Sequence, residues 1–326
     1  MSKSSHEPCW NLGAQRPAEP NWIWHGYLAP GKTTLLTSLW KSGKTTLVAL
    51  LLAQRRQGGT LAGRTVAPGV TAVISEEGRD LWEERCHRLG VGDRTAFFCQ
   101  PFDGLPTPED WRPLLDRLLQ MRDEHGLDLV VIDTVATLMP WRDENNALLV
   151  RAALEPLLEL TRAGIALWLL HHPRKAEAQP GMAARGSGAL PAFADVVLEM
   201  RHPGGDPGTR RRRLYGFSRF QATPRILLME MNDAGTDYLV LDCAADEFSE
   251  RWQKLHSVLS NADEPLTRQQ ILAIWPDDET PPSDSALYRW LTKAVELGLV
   301  DHVGTGNRYD PHRYALAEEK RLDQAG

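Results

Sequence analysis

Cysteine is scarce in this chain, with four residues in 326, at Cys9, Cys86, Cys99 and Cys243. Their wide separation excludes a disulfide framework or a cysteine metal site and points to a reducing cytoplasm. Long apolar runs are also missing. No stretch approaches the ~18 residues of a membrane helix, so no membrane partner is expected. The first residues lack the apolar core of a signal segment, and residues 1–20, polar and proline-rich, read as a flexible lead-in. Positive charge is not in excess either. A net charge of −6 removes any global basic field and leaves nucleic-acid contact to local patches. This length has room for one large α/β core and a small module.

What is present is a phosphate-loop pattern, twice within twenty residues. Gly26-Tyr-Leu-Ala-Pro-Gly31-Lys32-Thr33 matches G-x-x-x-x-G-K-[ST] in full. Ser38-Leu-Trp-Lys-Ser42-Gly43-Lys44-Thr45 has serine for the first glycine. A phosphate loop needs a strand before it and a helix after it, so that free N–H groups at the helix start face the phosphates. The full match lacks that helix, and Pro30 removes a donor inside it. The imperfect match has both parts. Residues 33–37 read as a buried strand, and residues 46–57 read as a helix stopped by Gly58-Gly59. Lys44 is therefore expected to reach the β/γ-phosphates of ATP and Thr45 to bind Mg2+. Backbone groups from Ser42 through Gly43 to Thr46 are expected to cradle the phosphates. Residues 26–31 become a turn into the first strand.

Strands and helices alternate from about residue 33 to 200, which predicts a parallel sheet flanked by helices. The expected strands are 70–75, 127–132, 165–170 and 195–200, and the helices 80–89, 110–125 and 146–162. Residues 211–217, 225–231 and 238–241 read as antiparallel strands, and the core is expected to end near Ala245. The tail predicts three helices (250–260, 268–275, 283–297) and a hairpin of 300–303 with 313–316.

Three strand ends carry chemistry. Leu129-Val-Val-Ile-Asp133 ends in a carboxylate suited to Mg2+, usually through water. Ala72-Val-Ile-Ser-Glu76-Glu77 ends in two, and a Glu there can polarise an attacking water, Glu76 ahead of Glu77, if the pair is not a solvated acidic loop. Leu167-Trp-Leu-Leu-His171-His172 places two histidines at a strand edge, for sensing a γ-phosphate or for structure. Arg210 to Arg213 read as a solvated strand edge. Arg219, just beyond, could reach a neighbouring subunit's ATP.

These residues together resemble the RecA-like ATPases, in the ring helicase branch that includes the plasmid RepA helicases and DnaB, over residues 23–241. Ser75-Glu76-Glu77 resembles the branch's catalytic glutamate motif, and His171-His172-Pro-Arg-Lys175 the helicase motif at the end of the fourth strand. Ala184-Arg-Gly-Ser-Gly-Ala-Leu190 with Ala194-Asp195 resembles the following segment, and Arg219 falls at the family's trans-acting Arg. The resemblance implies a hexameric ring of identical subunits with ATP between them. It implies a channel for single-stranded DNA lined by residues 134–145 and 173–187, the latter with Arg174, Lys175 and Arg185. Ser38 is the departure from the family loop. The expected organisation is a flexible segment (1–20), a RecA-like ATPase domain (21–245), a winged-helix-like domain (246–318) and a tail (319–326).

From Phe248 onward the chain has 9 Lys/Arg against 13 Asp/Glu, a balance of −4 that is poor for tight DNA binding. Arg289, Lys293, Arg308 and Arg313 could still form a local basic face, or the tail could bind protein. The leading expectation is an Mg2+-dependent ring ATPase that translocates on or unwinds DNA. The alternatives are an ATP-switched recombination mediator and a transcriptional regulator.

Overall fold

The computed structural model describes residues 19–172, 188–203, 208–241, 243–276, 281–307 and 309–317, with backbone only for 243–250. Contacts divide the chain into two units, Met1–Leu241 and Asp242–Gly326.

In the first unit, β1 (Thr33–Ser38) leads to α1 (Lys44–Arg55), a hairpin of β2 (Gly59–Leu61) and β3 (Arg64–Val66), then β4 (Val70–Ser75) and α2 (Arg79–Leu89). Next come β5 (Thr95–Cys99), α3 (Pro108–His125), β6 (Leu127–Asp133), α4 (Val135–Leu138), α5 (Ala147–Leu154) and α6 (Leu158–Arg162). The unit closes with β7 (Ala166–His171), α7 (Ala189–Phe193), β8 (Val196–Arg201), β9 (Arg211–Ser218), β10 (Ile226–Met231) and β11 (Tyr238–Leu241). One nine-stranded sheet runs in the order β11-β10-β9-β8-β1-β7-β6-β4-β5. From β8 to β5 every neighbour is parallel. β9, β10 and β11 extend the sheet antiparallel.

The strands read as continuous apolar runs because both faces are covered. Leu36, Leu129 and Val131 pack with α1 residues on one face. Leu35, Val130 and Ile132 pack with α3 and α5 residues on the other. The alternation is the strand period of two. α3 starts on a capping box from Thr107 to Asp110 and ends at Gly126 in the left-handed region.

The structure departs from the sequence expectations at three added strands and one helix. The hairpin β2–β3 and the edge strand β5 were not foreseen, so Val70–Ser75 is the fourth strand in chain order. The expected helix over 146–162 is instead α5, a 3-10 turn holding Pro156, and α6. Proline lacks the N–H and its ring crowds the preceding turn, so the helix breaks there.

The second unit holds α8 (Cys243–Ser260), β12 (Leu266–Thr267), α9 (Arg268–Ala273), α10 (Asp284–Glu296), β13 (Val300–Val303) and β14 (Arg313–Leu316). Its sheet is antiparallel in the order β12-β14-β13. Leu255, Val258, Leu259, Ile271, Leu287, Leu291, Val300 and Tyr314 form its own core. Among the described residues, no helix is long and apolar enough to cross a membrane.

Candidate functional site

The parallel strands end together. Register pairs Thr37 with His171, Asp133 with Leu170, and Ser75 with Asp133. That carboxyl edge is where open α/β sheets bind ligands. A cavity of about 940 Å3 lies there, lined among others by Ser42, Gly43, Lys44, Thr45, Thr46, Glu76, Asp133 and His172.

Ser38 needs no glycine. It is the last residue of β1 and buried, and it is not among the residues with positive φ. Its hydroxyl hydrogen-bonds the Ser42 hydroxyl, and Ser42 Oγ also donates to the Leu39 carbonyl at 2.6 Å. The loop is thus braced by its own serines. Gly43 takes φ 97° as the N-cap of α1, a left-handed conformation that glycine adopts without a Cβ penalty. No side chain caps α1, which leaves N–H groups of its first turn open on the cavity.

Lys44 is 4 % exposed. Its ammonium donates to the carbonyls of Ser38 (2.8 Å) and Leu39 (3.1 Å) and to His172 Nδ1 (2.8 Å). Three donors meet three acceptors, which keeps the lysine inside the loop. Burial brings its pKa down to about 8, against the attraction of Asp133 and Glu76. His172 is pushed down to about 4 by burial and then by Lys44's charge, so it is neutral and accepts at Nδ1. The exposed Trp40 ring lies 5.7 Å from it.

Thr45 Oγ1 donates to Asp133 Oδ2 at 2.8 Å. Asp133 is 3 % exposed. Burial pushes its pKa up to about 6, with Glu77 and Glu76 adding to the rise and Thr45 and Lys44 opposing it. The Asp133–Thr134 peptide is cis. A buried carboxylate beside a hydroxyl, both hard oxygen donors at the loop, fits Mg2+. Among the described residues no group of three or more His, Cys, Asp or Glu could hold a metal.

The adjacent glutamates differ. Glu77 is paired with Arg85, through Nη1 and through Nη2 at 3.0 Å. Glu76 accepts from the hydroxyls of Thr137 and Thr134, the latter at 3.4 Å, and its N–H donates to the Asp133 carbonyl at 2.8 Å. The histidines differ too. His171 is buried, bonded through Nε2 to Glu144 and 3.4 Å through Nδ1 from Thr37 Oγ1, while His172 lines the cavity.

The full pattern match lies at the other end of β1. Lys32 Nζ is 3.8 Å from Asp195 and 41 % exposed. A Cβ on Gly26 would meet the Ala222 carbonyl oxygen at 2.5 Å, and one on Gly31 the Thr161 carbonyl oxygen at 3.1 Å. These glycines serve close packing.

Arg219 is exposed and follows β9. β9 runs antiparallel to β8, and Ser218 pairs with Val196, so Arg219 sits at the edge opposite the cavity. Arg174, Lys175, Arg185 and Arg308 lie outside the described residues. Arg289, Lys293 and Arg313 are exposed in the second unit. Arg212 corrects the reading of Arg210 to Arg213 as a solvated edge. It is half-buried, and its Nε donates to the Ser42 carbonyl at 2.6 Å. No sequence signal marked it, because the contact depends on how β9 registers in the sheet. Arg85 also escaped the sequence reading, and Thr134 and Thr137, in the 134–145 stretch expected to line a channel, border this cavity.

A family model described as an AAA domain matches residues 5–178, just over half of the chain. No curated protein matches. The chain belongs to this AAA-domain family of P-loop ATPases.

Proposed function

We propose that this AAA-domain ATPase uses the Lys44 loop to hydrolyse Mg2+-bound ATP and couples turnover to movement along single-stranded DNA within a ring of identical subunits. The observation that carries the nucleotide reading is the junction of Lys44, Thr45, Asp133 and Glu76 in one cavity. Lys44 offers its buried charge to the β/γ-phosphates, and the open N–H groups from Gly43 to Thr46 receive their oxygens. Thr45 and Asp133 would hold Mg2+, which neutralises charge on the phosphates. Glu76, with hydroxyl neighbours and no ion pair among the described residues, orients the attacking water. Glu77 is engaged by Arg85 and serves structure. A γ-phosphate competes with His172 for Lys44, so His172 reports its arrival and loss.

Arg219 supports the ring. It follows β9 at the sheet edge opposite its own cavity, so the ATP it could serve belongs to another copy. In the second unit, three helices and a three-stranded antiparallel sheet follow the element order of a winged helix, with Arg289 and Lys293 on α10 as a local basic face.

The test is ATP hydrolysis by the full chain with and without single-stranded DNA, beside its size with a non-hydrolysable ATP analogue. Stimulation by DNA and a ring-sized species are expected. A strict monomer sinks the role of Arg219, and DNA-indifferent turnover sinks translocation and favours an ATP switch.

A further inference from the structure

We propose that Arg212 fixes the orientation of the Ser42–Gly43 peptide and so aims the Gly43 N–H at the nucleotide's phosphates. The proposal rests on the reading of the Lys44 loop as the phosphate site. Arg212 lies on β9, beyond the stretch matched by the family model. Its Nε donates to the Ser42 carbonyl at 2.6 Å. Its Nη1 donates to the carbonyls of Thr209 (2.6 Å) and Arg211 (2.7 Å), so the guanidinium is itself held. Burial lowers its pKa from the usual value. Tyr238, buried on β11, stands on the same side. A Cβ on Gly43 would lie 3.6 Å from its Oη and 3.8 Å from Arg212 Nε.

A trans peptide is planar, and its C=O and N–H point in opposite directions. Holding the Ser42 carbonyl on Arg212 therefore turns the Gly43 N–H away from Arg212. Gly43 lines the cavity and Arg212 does not. The glycine that permits φ 97° also makes rotation of this peptide easy. A rotated peptide would present an oxygen to the phosphates in place of a donor. Arg212 removes that alternative before ATP arrives, which is binding by preorganisation.

The test uses the full chain with Arg212→Met and Arg212→Lys. A lost charge-assisted N–H contact predicts a KM for MgATP and a Kd for ADP raised about tenfold or more in Arg212→Met. Saturating turnover should stay within about twofold, the signature of lost uniform binding. ADP should move the Gly43 amide proton resonance downfield in the wild type and much less in Arg212→Met. Arg212→Lys keeps a donor and should recover part of the affinity. If Arg212→Met does not fold, Arg212→Gln carries the same comparison. Unchanged ADP affinity, a fall confined to kcat, or no recovery with lysine overturns the proposal. Lys44→Ala separates the two readings. Loss of ADP binding there with retention in Arg212→Met overturns the Arg212 role alone, and retention in Lys44→Ala overturns both.

Discussion

The two ends of β1 carry nearly the same letters in opposite surroundings. At its start, Lys32 follows two glycines pressed against carbonyl oxygens and is half-exposed beside Asp195. At its end, Lys44 is buried among carbonyls and His172, with Asp133 and Glu76 close enough to act on its charge. Six residues separate two sites, roughly 20 Å of strand. The difference teaches that the pattern describes a backbone path, whereas phosphate binding needs the carboxyl edge of a parallel sheet and a helix start. Serine can replace glycine at Ser38 because the chain is still in β1 there.

The largest expected effect breaks the comparison outright. If Lys44 serves the phosphates as proposed, Lys44→Ala deletes a preorganised charge there and should lower ATP turnover by about a hundredfold or more. Lys32→Ala removes half of an exposed ion pair and should change turnover by less than about twofold. Steady-state hydrolysis measures both, and the reverse result would falsify the assignment of the loop.

The contrast was legible in sequence because it depends on neighbouring elements. An apolar strand before Lys44 and an apolar helix after it were readable, as were the runs ending at Asp133 and His171. The half-buried edge strand β5 and the three-residue strands β2 and β3 were not, because short strands bury too little to leave a pattern. Arg212 was also missed. Its contact with Ser42 spans 170 residues and exists only once the antiparallel strands are added to the sheet.

The glycines sharpen the comparison next. Gly43→Ala puts a methyl group at φ 97° in the loop, where Tyr238 and Arg212 stand at ordinary contact distance. ADP affinity should fall about tenfold or more as the loop reshapes its donors. Gly26→Ala meets the Ala222 oxygen at 2.5 Å with φ 83°, so the cost falls on folding, on the order of 2 kcal/mol. Calorimetric binding and denaturant unfolding of each variant separate the outcomes. Equal losses of stability with no loss of ADP affinity in Gly43→Ala would remove the functional distinction between the loops.

The aspartates at the two ends give the last contrast, and Asp195 its smallest effect. Asp133 is raised to about 6 by burial, above the 3.8 of an ordinary aspartate. A raised carboxyl pKa means that the folded state binds the proton more tightly, so stability present below about pH 4 is lost as pH climbs through 6. Asp133→Asn removes that cost, and at pH 7.5 without Mg2+ or nucleotide the variant should be more stable by about 2 to 3 kcal/mol. His172, lowered to about 4, works in the opposite sense over the same range, losing stability as pH falls. The difference between wild type and Asp133→Asn, not either curve alone, therefore isolates Asp133. Asp195→Asn, at the half-exposed end, gives up the contact with Lys32 and weakens the acceptor for the Thr33 N–H, a change of less than about 1 kcal/mol. Urea unfolding from pH 4 to 7.5 reads both. A flat difference for Asp133→Asn would mean that the carboxylate is not held against its ionisation, and the case for a cation at Thr45 and Asp133 would lose its electrostatic basis.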